Sequence, residues 1–136
     1  MPAKHSARLR QAGFTLMELM IVISIIIILM GFAAPRYQQS ILHARESVLR
    51  NDLYVMRSAI DQFTLDKKRA PQSLQELVES GYLKGVPKDP ITDSSETWQV
   101  ANEDTMMSVD QTQPGISDVH SGAQGNATDG TPYSQW

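Results

Sequence analysis

The residues that could do chemistry in this chain lie near its two ends. Near the N-terminus, Glu18 is the one carboxylate in an otherwise uncharged apolar run from Phe14 to Ala34. Near the other end, carboxylate, hydroxyl and amide side chains crowd residues 113–136. An acidic residue at the centre of a membrane helix costs about 2.5–3.5 kcal/mol, so it is by default functional and has a partner. We therefore expect the partner of Glu18 to define what the chain does.

The C-terminal segment contains the residue types of a hydrolytic triad. Asp118, His120 and Ser121 lie within four consecutive residues, whereas triad groups work by converging from separate parts of a fold. His120 is therefore expected to be exposed or part of a turn. The sequence also has no phosphate-binding loop or dinucleotide fingerprint. We predict that the chain is not an enzyme.

Composition and charge narrow the class of protein further. The chain has 136 residues, enough for one small domain, and no cysteine, which excludes disulfides and zinc–thiolate sites. Lys4, Arg8 and Arg10 precede the apolar run, and such a basic head predicts a cytoplasmic N-terminus and an exported C-terminal domain. Beyond Lys88 there are acids but no Lys or Arg, which argues against nucleic acid as the partner of that domain.

The apolar run is long enough to anchor the chain in a bilayer. As a helix, Phe14–Ala34 would extend roughly 31 Å at about 1.5 Å per residue, against a hydrocarbon core about 30 Å thick. A secretory signal peptide is the alternative, but its apolar region has only about 7–15 residues. A plain anchor has the right length, yet it leaves Glu18 unexplained.

The residues around this acid resemble a known motif. Gly13-Phe14-Thr15-Leu16-Met17-Glu18-Leu19 is similar to the processing and methylation motif of type IV pilins and the related pseudopilins. The resemblance implies that a membrane prepilin peptidase cuts between Gly13 and Phe14 and that the new amine is methylated. Residues 1–13 would be the cleaved leader, and 14–35 the transmembrane and assembly helix. Pro35 falls where members of the family commonly carry a proline.

The same resemblance implies a partner for the buried acid. Glu18 would pair with the amine of Phe14 on a neighbouring subunit, so two charges that are costly in lipid neutralise each other only in the assembled register. Leaving one member of such a pair alone is strongly penalised, which makes the pair a device for setting register. The chain would then form a homo-oligomeric helical filament.

The elements behind this motif follow from hydrophobic spacing. Apolar residues recur at intervals of three and four through 36–66, first as Tyr37, Ile41 and Val48 and then from Leu49 to Phe63, which predicts an amphipathic helix with one core stripe. Ser73 opens a capping-box pattern that predicts a short helix over 72–80.

The remaining residues predict a small sheet and a loop. The β-prone runs Thr97–Ala101 and Thr105–Val109 predict a hairpin over 97–109, and residues 113–136 read as an ordered loop with a docked end. We therefore predict a pilin-like α+β fold, with a periplasmic domain over 36–136 in which the long N-terminal helix packs on a small C-terminal antiparallel sheet.

The soluble part favours one branch of the family. The order of helix, Gly81-Tyr82-Leu83 and Pro87-Lys88-Asp89-Pro90, without cysteines, resembles the major pseudopilin of type II secretion systems. That resemblance implies calcium in the C-terminal loop, and oxygen-rich segments suit this ion. The candidate calcium ligands are Asp118, Ser121, Asn126 and Asp129. The doubled aspartate of typical relatives is not matched here, so an ordinary glycine-rich surface loop is the alternative.

The resemblance also supplies the expected setting. The chain would be a structural subunit of a periplasmic filament in a type II protein secretion system. It would sit in the bacterial inner membrane as a single-pass protein, with prepilin peptidase/methyltransferase, other pseudopilins and inner-membrane secretion components as partners. Two alternatives remain: a type IV pilin for motility, adhesion or DNA uptake, and a membrane-anchored binding module or small hydrolase.

Overall fold

The computed structural model describes residues 13–103, 109 and 113–136. Its long apolar helix and small antiparallel sheet form an α+β, pilin-like arrangement, as the sequence predicts. The chain divides into two compact units, Met1–Gln39 and Ser40–Trp136. The elements are α1 (Leu16–Lys67), α2 (Leu74–Glu79), β1 (Gln99–Asn102), β2 (Ile116–His120) and a 3₁₀ turn (Tyr133–Gln135).

Helix α1 begins at a side-chain cap. The backbone N–H of Glu18 donates to Thr15 Oγ1 at 3.1 Å, which satisfies one of the donors that a helix leaves free in its first turn. The acidic side chain of Glu18 also suits the positive end of the helix dipole. Pro35 lies inside the helix, which continues past it to Lys67.

The first half of α1 has no apolar partner within the described residues. Its large apolar side chains are 45–83% exposed from Phe14 to Phe32. By length and composition, α1 is the one helix in the described part of the chain that could cross a membrane. This finding agrees with the anchor that the sequence predicts.

The second half of α1 supplies one side of the core. Leu49, Leu53, Met56, Ile60 and Phe63 are at most 2% exposed, and they cluster with apolar residues from α2, β2 and the C-terminal segment. Each of these residues follows the previous one by three or four positions, which keeps them on one face.

The core stripe differs from the prediction at its N-terminal end. The sequence predicts Tyr37, Ile41 and Val48 on this stripe, but they are 38–69% exposed. The one-position step between Val48 and Leu49 moves the apolar pattern to another face of the helix, and the domain covers only the second face. The side chain that precedes Leu49 on the buried face is Glu46, which is 4% exposed.

Helix α2 forms as the capping pattern predicts. Ser73 Oγ accepts the backbone N–H of Glu76 at 3.1 Å, while a carboxylate oxygen of Glu76 accepts the N–H of Gln72 at 2.7 Å. The helix is followed by Gly81 at φ 83°, a left-handed conformation that glycine adopts without the strain of a Cβ.

The sheet pairs β1 with a strand that the sequence does not predict. Gln99 lies opposite His120 and Val100 opposite Val119 in an antiparallel register, with an irregularity between Ala101 and Asn102. The predicted hairpin partner of β1 falls mostly on residues 104–108, which lie outside the described residues. Within the described part, the partner is β2, which the sequence places in a loop because Gly, Ser and Asp surround its two buried apolar residues.

Candidate functional site

The predicted processing site lies just before α1. Residues 13–15 have no helical structure, and Phe14 is 83% exposed. Among the described residues, a Cβ built on Gly13 would meet nothing within 4 Å, and the backbone of this glycine does not have positive φ. Neither packing against the described residues nor backbone conformation therefore requires a glycine at position 13. A requirement for glycine at this position would have to come from another molecule that recognises it.

The predicted assembly residue is in the first turn of α1. Glu18 is exposed, and its backbone N–H is fixed on Thr15. The carboxylate thus lies four residues after Phe14, at the entrance to the exposed apolar segment. The structure keeps the bond 13–14, the acid and the apolar segment in direct succession, with the second predicted assembly residue, Pro35, inside the same helix.

The two carboxylates of the predicted calcium set are bound by arginines of α1. Asp118 Oδ1 accepts Arg57 Nε at 2.7 Å and the backbone N–H of Val119 at 2.7 Å. Burial acts to raise the pKa of Asp118, but these hydrogen bonds and the Arg57 charge outweigh it and lower the pKa. Asp129 accepts the hydroxyl and the backbone N–H of Thr131, and it accepts Arg50 at 2.9 Å; the bonds from Thr131 contribute most to the lowering of its pKa.

The other two predicted ligands lie in a different place. Ser121 is 1% exposed and donates to Asp89 Oδ2 at 2.6 Å, while its Oγ accepts the N–H of Ala123. Ser121 and Asn126 line one polar pocket together, which neither Asp118 nor Asp129 lines. Among the described residues, no group of three or more His, Cys, Asp or Glu side chains could hold a metal ion.

In the part of the chain that the structure describes, the four candidate calcium ligands do not line one common pocket. The donor oxygens are split between a pocket without a carboxylate and two separate ion pairs with arginine. Calcium binding by the C-terminal segment therefore stays a prediction.

The three triad residue types are neighbours but bond to different groups. His120 is partly buried at the end of β2, where its Nδ1 lies 2.6 Å from the carbonyl oxygen of Trp136. Its Nε2 lies 3.4 Å from Asp118. Ser121 donates to Asp89 rather than to His120. The arrangement fixes the end of the chain against β2, and His120 is not the exposed turn residue that the sequence predicts.

A buried carboxylate on α1 is the main polar feature that the sequence pattern did not reveal. Glu46 Oε1 accepts the N–H of Thr128 at 2.9 Å and the hydroxyl of Tyr133 at 2.8 Å, and Oε2 accepts the Thr128 hydroxyl at 2.6 Å. The signal was present, because Glu46 precedes Leu49 by three residues and so continues the spacing of the core stripe.

Comparison with known proteins places these features in a family. Residues 8–34 match the family described as the prokaryotic N-terminal methylation motif. The type II secretion system core protein G of Klebsiella pneumoniae is 34% identical over 97 residues, covering 60% of this chain and 69% of that protein. The chain belongs to the type II secretion system core protein G family.

The identity and coverage are similar for the core protein G of Aeromonas hydrophila, which is 33% identical over 97 residues, covering 60% of this chain and 68% of its own length.

A type IV pilin is also similar to part of the chain. The type IV major fimbrial protein FimA of Dichelobacter nodosus is 45% identical over 62 residues, but this covers 46% of the chain and 39% of FimA. No solved structure matches the chain significantly. Membership in the core protein G family confirms the resemblance that the motif around Gly13 and Glu18 indicates.

Proposed function

We propose that this core protein G family member is a structural subunit that polymerises into a periplasmic filament of a type II secretion system. The observation that carries the proposal is the direct succession of an exposed Gly13–Phe14 bond, a capped helix start and Glu18 at the head of an apolar segment. Family membership supports the same function, since the named relatives are core proteins of that system.

The first step of the proposed mechanism is processing. A prepilin peptidase/methyltransferase cuts between Gly13 and Phe14 and methylates the new amine. The bond precedes the first helical residue, Leu16, so a protease can bind it in extended form without unwinding α1. The leader up to Gly13 is removed, and the mature chain begins at Phe14.

The second step is assembly. Glu18 of an incoming subunit pairs with the Phe14 amine of its neighbour at the membrane boundary. Each charge alone is costly in lipid, and the pair forms in one register only. The apolar face of α1 serves first as the anchor in the inner membrane and then as packing surface in the filament. We propose that other pseudopilins and inner-membrane secretion components complete the assembly.

The proposal assigns no catalytic role to the chain. Movement of subunits out of the membrane would be powered by a separate cytoplasmic ATPase, with the N-terminus of this chain on the cytoplasmic side and residues 36–136 in the periplasm. A type IV pilin is the second candidate, favoured by the similarity to FimA. The broader coverage of the core protein G relatives, 60% of this chain, favours the secretion system.

Substitution of Gly13 tests the processing step. Because a Cβ at position 13 would meet no described residue within 4 Å, Gly13→Leu should leave the fold intact, and its effect reports recognition by the peptidase. Gly31→Ala, at another glycine with open space around it, is the matched control. We expect intact-mass measurement to find methylated Phe14 as the first residue of the wild type and of the control. The Gly13→Leu chain should keep its leader. A Gly13→Leu chain that still begins at Phe14 would refute the assigned site.

A further inference from the structure

The buried contact between α1 and the C-terminal segment goes beyond the proposed function. Glu46 is the first buried residue of α1, and its carboxylate receives three hydrogen bonds from residues 82 and 87 positions away in sequence. We propose that ionised Glu46 is a latch that holds residues 125–136 on α1 and that releases this segment when the carboxylate is protonated.

The hydrogen bonds to the carboxylate favour its ionised form. All three groups that bond to it are arranged as donors: the N–H and hydroxyl of Thr128 and the hydroxyl of Tyr133. A carboxylate offers only acceptors, which matches this set, whereas protonation replaces one acceptor by a donor. Hydrogen bonds to a charged acceptor are also roughly twice as strong as neutral ones.

The charged and titratable groups around the latch come from both segments that it joins. His43 and Arg50 of α1 line the same small pocket as Glu46, together with Asp129 of the C-terminal segment. Burial acts to raise the pKa of Glu46, but the bonds from Thr128 and Tyr133 and the charge of His43 outweigh it and lower the pKa. The anchoring is therefore fully present above the ordinary pKa of 4.5 and is lost as pH falls through the lowered value.

Release of the latch would uncover part of the core. Tyr133 and Ala127 belong to the same apolar cluster as Leu49 and Leu53, the first apolar core residues of α1. The rest of the cluster includes Leu77 of α2 and does not depend on Glu46 directly. The latch is thus a local device, and α2 should remain folded when the C-terminal segment is released.

Hydrogen–deuterium exchange of the full-length protein in detergent tests the latch, with EDTA present so that no cation contributes. Peptides covering 125–136 report the latch, and peptides covering 74–83 report the remaining fold. At pH 7, Glu46→Ala should speed exchange in the first peptide roughly 10- to 100-fold, the scale for loss of charged hydrogen bonds. In the wild type, protection of this peptide should fall between pH 7 and about pH 3.5, after correction for the intrinsic rate.

Three variants separate the latch from other effects of acid. Glu46→Gln keeps the shape but cannot titrate, so its exchange should not respond to this pH change. Asp129→Asn removes the neighbouring ion pair and should leave the response in place. Glu79→Gln, at an exposed acid of α2, should behave as the wild type. Three results would overturn the proposal. The wild type could be equally protected at both pH values, the pH response could persist in Glu46→Gln, or both peptides could lose protection alike. If Glu46→Ala fails to fold, Tyr133→Phe, which removes one donor, should give a smaller increase in exchange of 125–136, and unchanged exchange would count against the latch.

Discussion

The hydroxyl of Tyr133 donates to Oε1 of Glu46 at 2.8 Å, and this bond joins the C-terminal 3₁₀ turn to the long helix across 87 residues of sequence. Both partners are buried, with exposed fractions of 4%. The phenol and the carboxylate thus hold each other in opposite protonation states. Glu46 is stabilised as an anion, and Tyr133 is stabilised as a neutral phenol.

Removal of the Tyr133 hydroxyl should weaken the domain. Tyr133→Phe leaves the ring in the core but deprives the buried carboxylate of one of its three donors, a change that costs about 1–3 kcal/mol. Chemical denaturation of the full-length protein in detergent measures the free energy of unfolding. Tyr54→Phe on α1, where the side chain is 71% exposed, should change it little. Equal stability of the two variants would show that the bond to Glu46 contributes nothing.

The same pair predicts a loss of stability in alkali. Burial and the bond to Glu46 raise the pKa of Tyr133 from 10 to about 12. The unfolded chain therefore gives up its phenol proton first, so the stabilising contribution is present below pH 10 and is lost as pH rises towards 12. The free energy of unfolding measured between pH 9 and 12 should fall more steeply for the wild type than for Tyr133→Phe. Parallel curves would contradict the shifted pKa.

A close backbone contact leaves no room for a side chain at Gly122. A Cβ on Gly122 would lie 1.8 Å from the carbonyl oxygen of Thr97, a clash with backbone that a rotamer change cannot relieve. We expect Gly122→Ala to destabilise the domain by about 1–3 kcal/mol or more, as overpacking of a core does. Gly85→Ala, where a Cβ meets nothing within 4 Å, is the matched control. Thermal unfolding compares the two, and a Gly122→Ala protein as stable as the control would show that the loops separate without cost.

Calcium binding by the C-terminal segment can be tested against the arginine pairs. Arg50 holds Asp129 at 2.9 Å and would compete with a cation for the same carboxylate. If the segment binds calcium, the ion raises the melting temperature, because a ligand of the folded state stabilises it. The rise should be larger in Arg50→Ala than in the wild type. Identical melting in calcium and in EDTA for both proteins would remove the calcium proposal.

Local signals in the sequence are sufficient for the helices and their caps. Ser73 and Gly81 act through neighbours within a few residues, so their roles follow from residue type and position alone. The motif around Gly13 and Glu18 is equally local, and its residues by themselves indicate the family.

Longer-range features cannot be predicted in the same way. The partner of β1 is β2, which is not the next β-prone run in the sequence. The Gly- and Ser-rich surroundings of β2 conceal its two buried apolar residues, so the residues next to it do not predict a strand. The charge of Glu46 favours a polar face of the helix, although its spacing from Leu49 places it on the core stripe. Its burial becomes favourable only because Thr128 and Tyr133 supply donors from the far end of the chain.

Filament assembly by a Glu18→Ala variant tests whether the pair of Glu18 and the Phe14 amine builds the filament. The substitution removes the acid that we propose pairs with the Phe14 amine of a neighbouring subunit, while the apolar segment and the Gly13–Phe14 bond remain. We predict that this variant enters the membrane and is processed to Phe14, but yields no filaments in electron micrographs of cell-envelope fractions, whereas Glu79→Ala assembles as the wild type does. Normal filaments from the Glu18→Ala subunit would show that assembly does not depend on the Glu18 carboxylate.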